Sequence, residues 1–149
     1  MSFKAESEAT LRDLAQVQAD VLATVRQVLG QLAALAAAQA RSTTTFKDRT
    51  GALRKSIVRG EKSPWAQFVK VGGKDAPYAI FIEAGSRPHP IHARRAKFLR
   101  FEQNGQIVFR KRVFHPGTKP ARFMQSARDS AEEAAMQYLE RGLNTAINR

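Results

Sequence analysis

From about Ala5 to Ala40 the chain contains no proline and a single glycine, Gly30. Apolar residues recur at Leu11, Leu14, Val21, Val25, Val28, Leu32 and Leu35, in alternating steps of three and four that only Gln18 interrupts. That period lines them up along one side of an α-helix. A helix over this whole stretch would run about 54 Å at ~1.5 Å per residue. This is longer than a domain of 149 residues needs for its own core. Two readings are open: a core helix lying across a sheet with a frayed end, or a helix part of whose stripe packs on another subunit. The alanine-rich stretch Ala33 to Ala40 suits close helix contact in either.

A chain of 149 residues allows one ordinary domain, here divided into an N-terminal helix (1–40), a basic middle (41–122) and a C-terminal helix (123–149). With 43% hydrophobic and 26% charged residues, the composition is globular. Cysteine is absent, which excludes disulfide scaffolds, thiolate metal sites and cysteine nucleophiles, and leaves the redox compartment open. No uninterrupted apolar run approaches the roughly 20 residues of a membrane-spanning helix, and the N-terminus lacks the layout of a signal peptide. The expectation is a soluble, non-exported protein without a membrane partner.

The formal charge of +12 is unevenly placed. Residues 1–40 carry three basic and four acidic side chains, and residues 123–149 again three and four. The middle, 41–122, carries nineteen basic and five acidic, a net +14. One basic face between two nearly neutral helical ends is expected, turned toward a polyanion or an acidic protein.

Within that middle, Arg41 to Asp48 reads as an exposed linker, and Gly51 to Ile57 as a short helical turn with Asp48 or Thr50 as N-cap. Ile57-Val58 and Ala66 to Val71 read as strands separated by the turn-prone Gly60 to Pro64. Asp75 to Gly85 has a cap candidate, a proline in its first turn and a closing glycine, and predicts a short helix. Ser86 to His92 contains Pro88 and Pro90, which lack donors and restrict their neighbours, so an extended loop is expected.

Phe98 to Phe114 carries the clearest local signal. Asn104-Gly105 tolerates the positive φ angles of a type I′ turn and predicts a hairpin with Phe101 opposite Val108 and Arg100 opposite Phe109. One face then holds Leu99, Phe101 and Val108, the other Phe98, Ile107 and Phe109, and neither is wholly polar. Such a hairpin is either covered on both sides or used as an interface. After Pro116-Gly117, a stripe of Phe123, Ala127, Ala131, Ala134, Tyr138 and Leu139 predicts the closing helix. The fold class is α+β: a long N-terminal and a C-terminal helix packed on a small antiparallel β-sheet, with short helices and a β-hairpin.

Candidate catalytic groups are few. His89, His92 and His115 lie near Glu83 in sequence but lack the comparably placed further ligands of a zinc site. Ser86, His89 and Glu83 offer nucleophile, base and orienter without a nucleophile elbow or oxyanion loop. Gly72-Gly73-Lys74 lacks the spacing of a phosphate loop, and five acidic residues in the basic middle are too sparse for a metal-dependent nuclease. No catalytic residue, metal or cofactor is expected. Nucleic-acid contact has better support: Arg94, Arg95, Lys97 and Arg100 cluster at the start of the hairpin and Arg110, Lys111 and Arg112 on its return, with Phe98, Phe101 and Phe109 interleaved. Such a cluster attracts DNA without reading sequence, and a solvated surface facing an acidic protein partner explains it equally well. No recognition-helix or RNA-binding motif is visible.

Three segments resemble a known family. Thr50-Gly-Ala-Leu-Arg-Lys-Ser-Ile57 is similar to the T-G-x-L-R-x-S-I segment of small tail-component proteins of lambdoid phages. Pro77-Tyr-Ala-Ile-Phe-Ile-Glu-Ala-Gly-Ser86 resembles their Y-A-x-x-x-E-x-G-T segment, with Ser86 for the usual Thr and Ala84 for an aromatic. His115-Pro-Gly-Thr-Lys-Pro-Ala-Arg-Phe-Met124 resembles their closing G-x-x-P-x-P-F-(L/M) motif before the last helix. The resemblance implies a non-enzymatic virion protein of the neck or tail, in a tail-completion or tail-terminator role. It implies assembly as a homo-oligomeric ring, commonly sixfold, around the DNA channel and against other neck or tail-tube proteins. Localisation would be the virion, and the host cytoplasm during assembly. In that setting Gly51, Leu53, Tyr78, Glu83, Gly85, Pro120 and Phe123 are packing positions. The proline loop with Arg87, His89 and Ile91 is a docking surface, and the basic residues 94–112 face DNA or a partner. The alternative is a free non-specific DNA-binding protein using the basic hairpin.

Overall fold

The computed structural model describes residues 3–147, with the side chains of the first helix described from Ser7 onward. Ten elements follow in order: α1 (Phe3–Ser42), α2 (Ala52–Lys55), β1 (Val58–Ser63), β2 (Ala66–Lys70), α3 (Ala79–Ala84), β3 (His89–His92), β4 (Leu99–Gln103), β5 (Gln106–Arg110), β6 (Arg112–His115) and α4 (Phe123–Ile147). The class is α+β, as expected. The strands, however, form three separate two-stranded antiparallel ladders, β1-β2, β3-β6 and β4-β5, in place of one small sheet. The chain divides into two compact units, one of residues 1–77 and 123–149 and the other of residues 78–122.

In the first unit α1 runs antiparallel to α4 and also touches β1 and β2. The helix extends two residues beyond the expected span at each end. Its stripe divides: Val28 is buried and Val21, Val25, Leu32 and Leu35 are half-buried, while Leu11 and Leu14 are exposed. The helices cross closely where Gly142 lies, since a Cβ there would stand 2.7 Å from Thr24 Cγ2. One stretch of α1 also reaches a mean hydropathy of 1.4 over 18 residues, so by length and composition it passes the test for a membrane-spanning helix. That corrects the expectation drawn from uninterrupted runs: alanines raise the average although Arg26, Gln27 and Gln31 interrupt it. A helix packed along α4 has the same composition.

The hydrophobic core lies at the C-terminal end of α1. Leu53, Ile57 and Phe123 are almost wholly buried there, with Ala37 and Ala40. Each of the three large side chains contributes about 1.5–3 kcal/mol by leaving water. Arg41 to Asp48 is more than the expected linker, because the Phe46 ring packs 4.8 Å from that of Phe123. Asp48 then caps α2 with both carboxylate oxygens, accepting from Gly51 N (2.9 Å) and Arg54 N (2.9 Å). It thereby satisfies donors that have no intrahelical partner. Gly51 itself sits at φ 74°.

Gly60 to Ser63, expected as a turn, belongs to β1, and the turn falls at Pro64-Trp65. Gly60 pairs with Phe68, whose ring lies over it so closely that an added Cβ would force the ring to shift. The glycine is there for the ring, not for a reversal of the chain.

In the second unit the β4-β5 hairpin has the expected register, with Phe101 opposite Val108 and Arg100 opposite Phe109. Asn104 and Gly105 have φ 53° and 78°, as the type I′ turn requires. The expected extended loop at 86–92 is partly wrong, because His89 to His92 pairs with Arg112 to His115. Ala93 N donates to Lys111 O in continuation of that register, so residues 89, 91 and 93 turn their donors toward β6. Pro88 and Pro90 therefore fall at positions whose missing N–H faces away from the only partner, where an edge strand tolerates proline.

Candidate interaction surfaces

Two arginines of the basic middle are structural. Arg41 donates from Nε and Nη2 to the Ile57 carbonyl (3.1 and 2.5 Å). Arg54 donates to the carbonyls of Arg41 and Thr43, the latter at 2.6 Å, and lies 4.8 Å from the Phe46 ring centroid. The planar guanidinium of Arg54 thus binds carbonyls at the end of α1, and that of Arg41 binds one just beyond α2. Ser56 Oγ donates to Leu53 O (2.7 Å) and accepts from Gly72 N (3.1 Å). The segment Thr50 to Ile57 is a knot of packing and backbone satisfaction, with Leu53 at its centre.

In the second unit Tyr78 precedes α3, and its carbonyl accepts the helix's first backbone bonds from Phe81 and Ile82. At the other end Ile82 O and Glu83 O accept from Ala121 N (2.8 Å) and Arg122 N (3.2 Å). Ser86 and Thr118 exchange two backbone hydrogen bonds of 2.9 and 3.0 Å. Gly85, at φ 74° and ψ −178°, has no room for a side chain: a Cβ would stand 2.5 Å from Thr118 O and 2.9 Å from Pro120 N. The segments around Gly85 and Pro120 meet in space, and Phe123 follows as the buried first residue of α4.

The histidines are used locally. His89 Nδ1 donates to Arg87 O (2.8 Å), His115 Nδ1 accepts from Gly117 N (3.0 Å), and the two rings stack 5.2 Å apart. Among the described residues no three His, Asp or Glu side chains stand where they could hold a metal ion.

The seven cations of the expected basic cluster are all exposed, and none makes an ion pair among the described residues. They do not form one stripe. Arg94, Arg95 and Lys97 lie in the bends between β3 and β4. Arg110 shares a ladder face with Leu99, Phe101 and Val108, while Arg100 lies on the opposite face with Ile107 and Phe109. Lys111 follows in a bend, and Arg112 pairs with His92 in the other ladder. What unites them is the unit: residues 78–122 carry ten basic and two acidic side chains, a net +8. Ile107 and Phe109 are each 55% exposed, so the second hairpin face presents two large apolar side chains opposite Glu102 and Arg100. In the proline segment Arg87, His89 and Ile91 are exposed as well.

Sequence reasoning missed two features of the first unit. Arg26 stacks 4.4 Å over Trp65, and an apolar groove opens between α1, β2 and α4. The lone tryptophan in a turn was the available signal.

Residues 6–85 match the model of the HK97-gp10-like family, described as "Bacteriophage HK97-gp10, putative tail-component". The match covers more than half of the chain and includes the segments around Gly51 and Gly85, while the third resembling segment, 115–124, lies outside it. The chain belongs to this family of phage tail components and is a virion-associated protein. No curated protein and no solved structure matched significantly.

Proposed function

We propose that this tail component is a structural ring subunit at the head–tail interface, in a neck, tail-completion or tail-terminator role, joining head to tail around the DNA channel. The observation that carries the reading is the make-up of residues 78–122. Their four strands form two ladders of two strands each, an arrangement marginal by itself in water. Apart from Ala79, none of their described hydrophobic residues is buried, and Phe98, Ile107, Phe109 and Phe114 stand exposed beside the cations. Apolar strands of this kind gain their stability on assembly, when neighbouring subunits or other neck and tail-tube proteins cover them. A net +8 tolerates DNA passing at a distance, and the reading involves no catalysis and no cofactor. Native mass spectrometry of the purified chain is expected to give a closed oligomer, sixfold by the family resemblance. Deleting the gene is expected to leave heads and tails unjoined; normal joining would refute the reading.

A second reading, a free non-specific DNA-binding protein, is favoured by the seven exposed cations, which make no ion pair among the described residues. Absence of DNA binding at low salt would remove it.

A further inference from the structure

The turn at the tip of β4-β5 sets a side-chain amide beside a backbone nitrogen that nothing holds. Asn104 and Gly105 are both exposed, and the space around Gly105 is open. Gln103 pairs with Gln106, so the last ladder bonds fall on the residues that flank the turn. Among the described residues the Gly105 N–H has no acceptor. The peptide between Asn104 and Gly105 therefore rotates without breaking a cross-strand bond. Asn104 sits at φ 53°. Keeping that φ and moving ψ to about −120° gives the type II′ turn, which closes the same two-residue loop. There the Gly105 nitrogen eclipses Asn104 Cβ and faces the side-chain amide carbon. Glycine has no Cβ to obstruct the approach and accepts the changed φ.

The chain has three asparagines, Asn104, Asn144 and Asn148, and of these Asn104 alone precedes a glycine. Asn144 lies within α4, where helical hydrogen bonds fix the backbone, and the β-branched Thr145 follows it.

We propose that Asn104 is a site of spontaneous covalent modification, a deamidation that disables the hairpin. The Gly105 nitrogen attacks Asn104 Cγ and forms an N–Cγ bond, the Cγ–Nδ2 bond breaks, and ammonia leaves with the Gly105 proton. Water then opens the five-membered imide. Breaking the new N–Cγ bond gives aspartate. Breaking the bond from that nitrogen to the Asn104 carbonyl carbon gives isoaspartate, whose main chain runs through Cβ and Cγ. The sum consumes one water and releases one ammonia, with no change in oxidation state. The net +8 of residues 78–122 favours the carboxylate that results.

Isoaspartate lengthens the main chain by one atom in a loop whose two residues match the twist of the strands. The β4-β5 ladder has no third strand to hold its register, and a hairpin of two strands is marginal by itself. The modified chain loses this pairing, and with it the placement of Ile107 and Phe109 on one face. The chemistry does not depend on the ring reading.

The full chain, kept in mildly alkaline buffer at physiological temperature and then digested with trypsin, tests this. The peptide of residues 101–110 is expected to gain at Asn104 the mass difference between an oxygen atom and an NH group, ahead of any gain at Asn144 or Asn148. It is also expected to become a substrate for isoaspartate methyltransferase, and sooner at higher pH, because the attacking nitrogen must lose its proton. Asn104→Gly leaves Gly-Gly, which suits the same turn, and is expected to abolish both signals. Hydrogen exchange of the aged chain should show lost protection across β4 and β5 with α1 and α4 unchanged, whereas Asn104→Gly keeps its protection through the same incubation. An intact Asn104 in the folded chain, once a free peptide of the same sequence is fully modified, overturns the site, as does earlier modification at Asn144 or Asn148. Isoaspartate at position 104 with β4-β5 protection retained overturns the loss of the hairpin.

Discussion

Gly85 and Pro120 are thirty-five positions apart in sequence and in contact in space: a Cβ on the glycine would stand 2.9 Å from the proline nitrogen and 2.5 Å from Thr118 O. The chain leaving α3 and the chain approaching α4 are held together there by the paired Ser86 and Thr118 and by the bonds from Ala121 and Arg122 to the end of α3. Two of the segments that resemble phage tail proteins are therefore the two halves of one joint.

Gly85→Ala is expected to destabilise this joint by at least about 1–3 kcal/mol, the cost of a backbone conformation nearly restricted to glycine, with the clash added. Gly105, also at positive φ, has open space around it. Gly105→Ala is expected to cost only about 1–2 kcal/mol. Urea denaturation of the two variants, followed by a probe in residues 78–122, checks the order.

Asp48→Ala leaves the amides of Gly51 and Arg54 without their acceptor. A loss of about 0.5–2 kcal/mol is expected. Asp48→Asn retains one acceptor oxygen and should lie between, as read by the urea midpoint.

Arg54→Lys is expected to behave nearly like Arg54→Met. A lysine carries the charge but cannot span the carbonyls of Arg41 and Thr43 while lying over Phe46. Each variant should lose about 1.5–3 kcal/mol, the range for hydrogen bonds that involve a charged group. Full rescue by lysine in thermal denaturation would show that charge alone matters there.

Replacing Arg110, Lys111 and Arg112 with alanine should flatten the salt dependence of any DNA affinity by roughly one unit of slope for each phosphate no longer neutralised. Because Arg110 and Arg112 belong to different ladders and Lys111 to the bend between them, a flat site on DNA is expected to engage only some of them. The slope is expected to change by fewer units than residues removed, measured by fluorescence anisotropy at several salt concentrations.

Local signals with a single physical solution were legible in the sequence. Asn104-Gly105 admits one hairpin turn and hence one register, and the three-four period of α1 admits one stripe. The proline segment was misread because the rule that proline breaks strands presumes partners on both sides, and β3 has one. Gly60 was misread because its role depends on Phe68, eight residues away. Arg41 and Arg54 left no trace as structural groups, since their partners are backbone carbonyls, which every residue has. The separation of Arg100 from Arg110 was implicit in the predicted register, which sets them on opposite faces. Their closeness in composition concealed it.

The uninterrupted α1 also acts as a ruler. Its rise per residue sets a distance of about 27 Å from Leu14, on the exposed stretch, to Leu32, beside α4. Removing four residues between them would shorten that distance by about 6 Å while turning Leu14 by only some 40°. How far the exposed leucines stand from the packed part of the molecule is thus encoded in the length of a single helix, open to revision by whole turns and resistant to any smaller change.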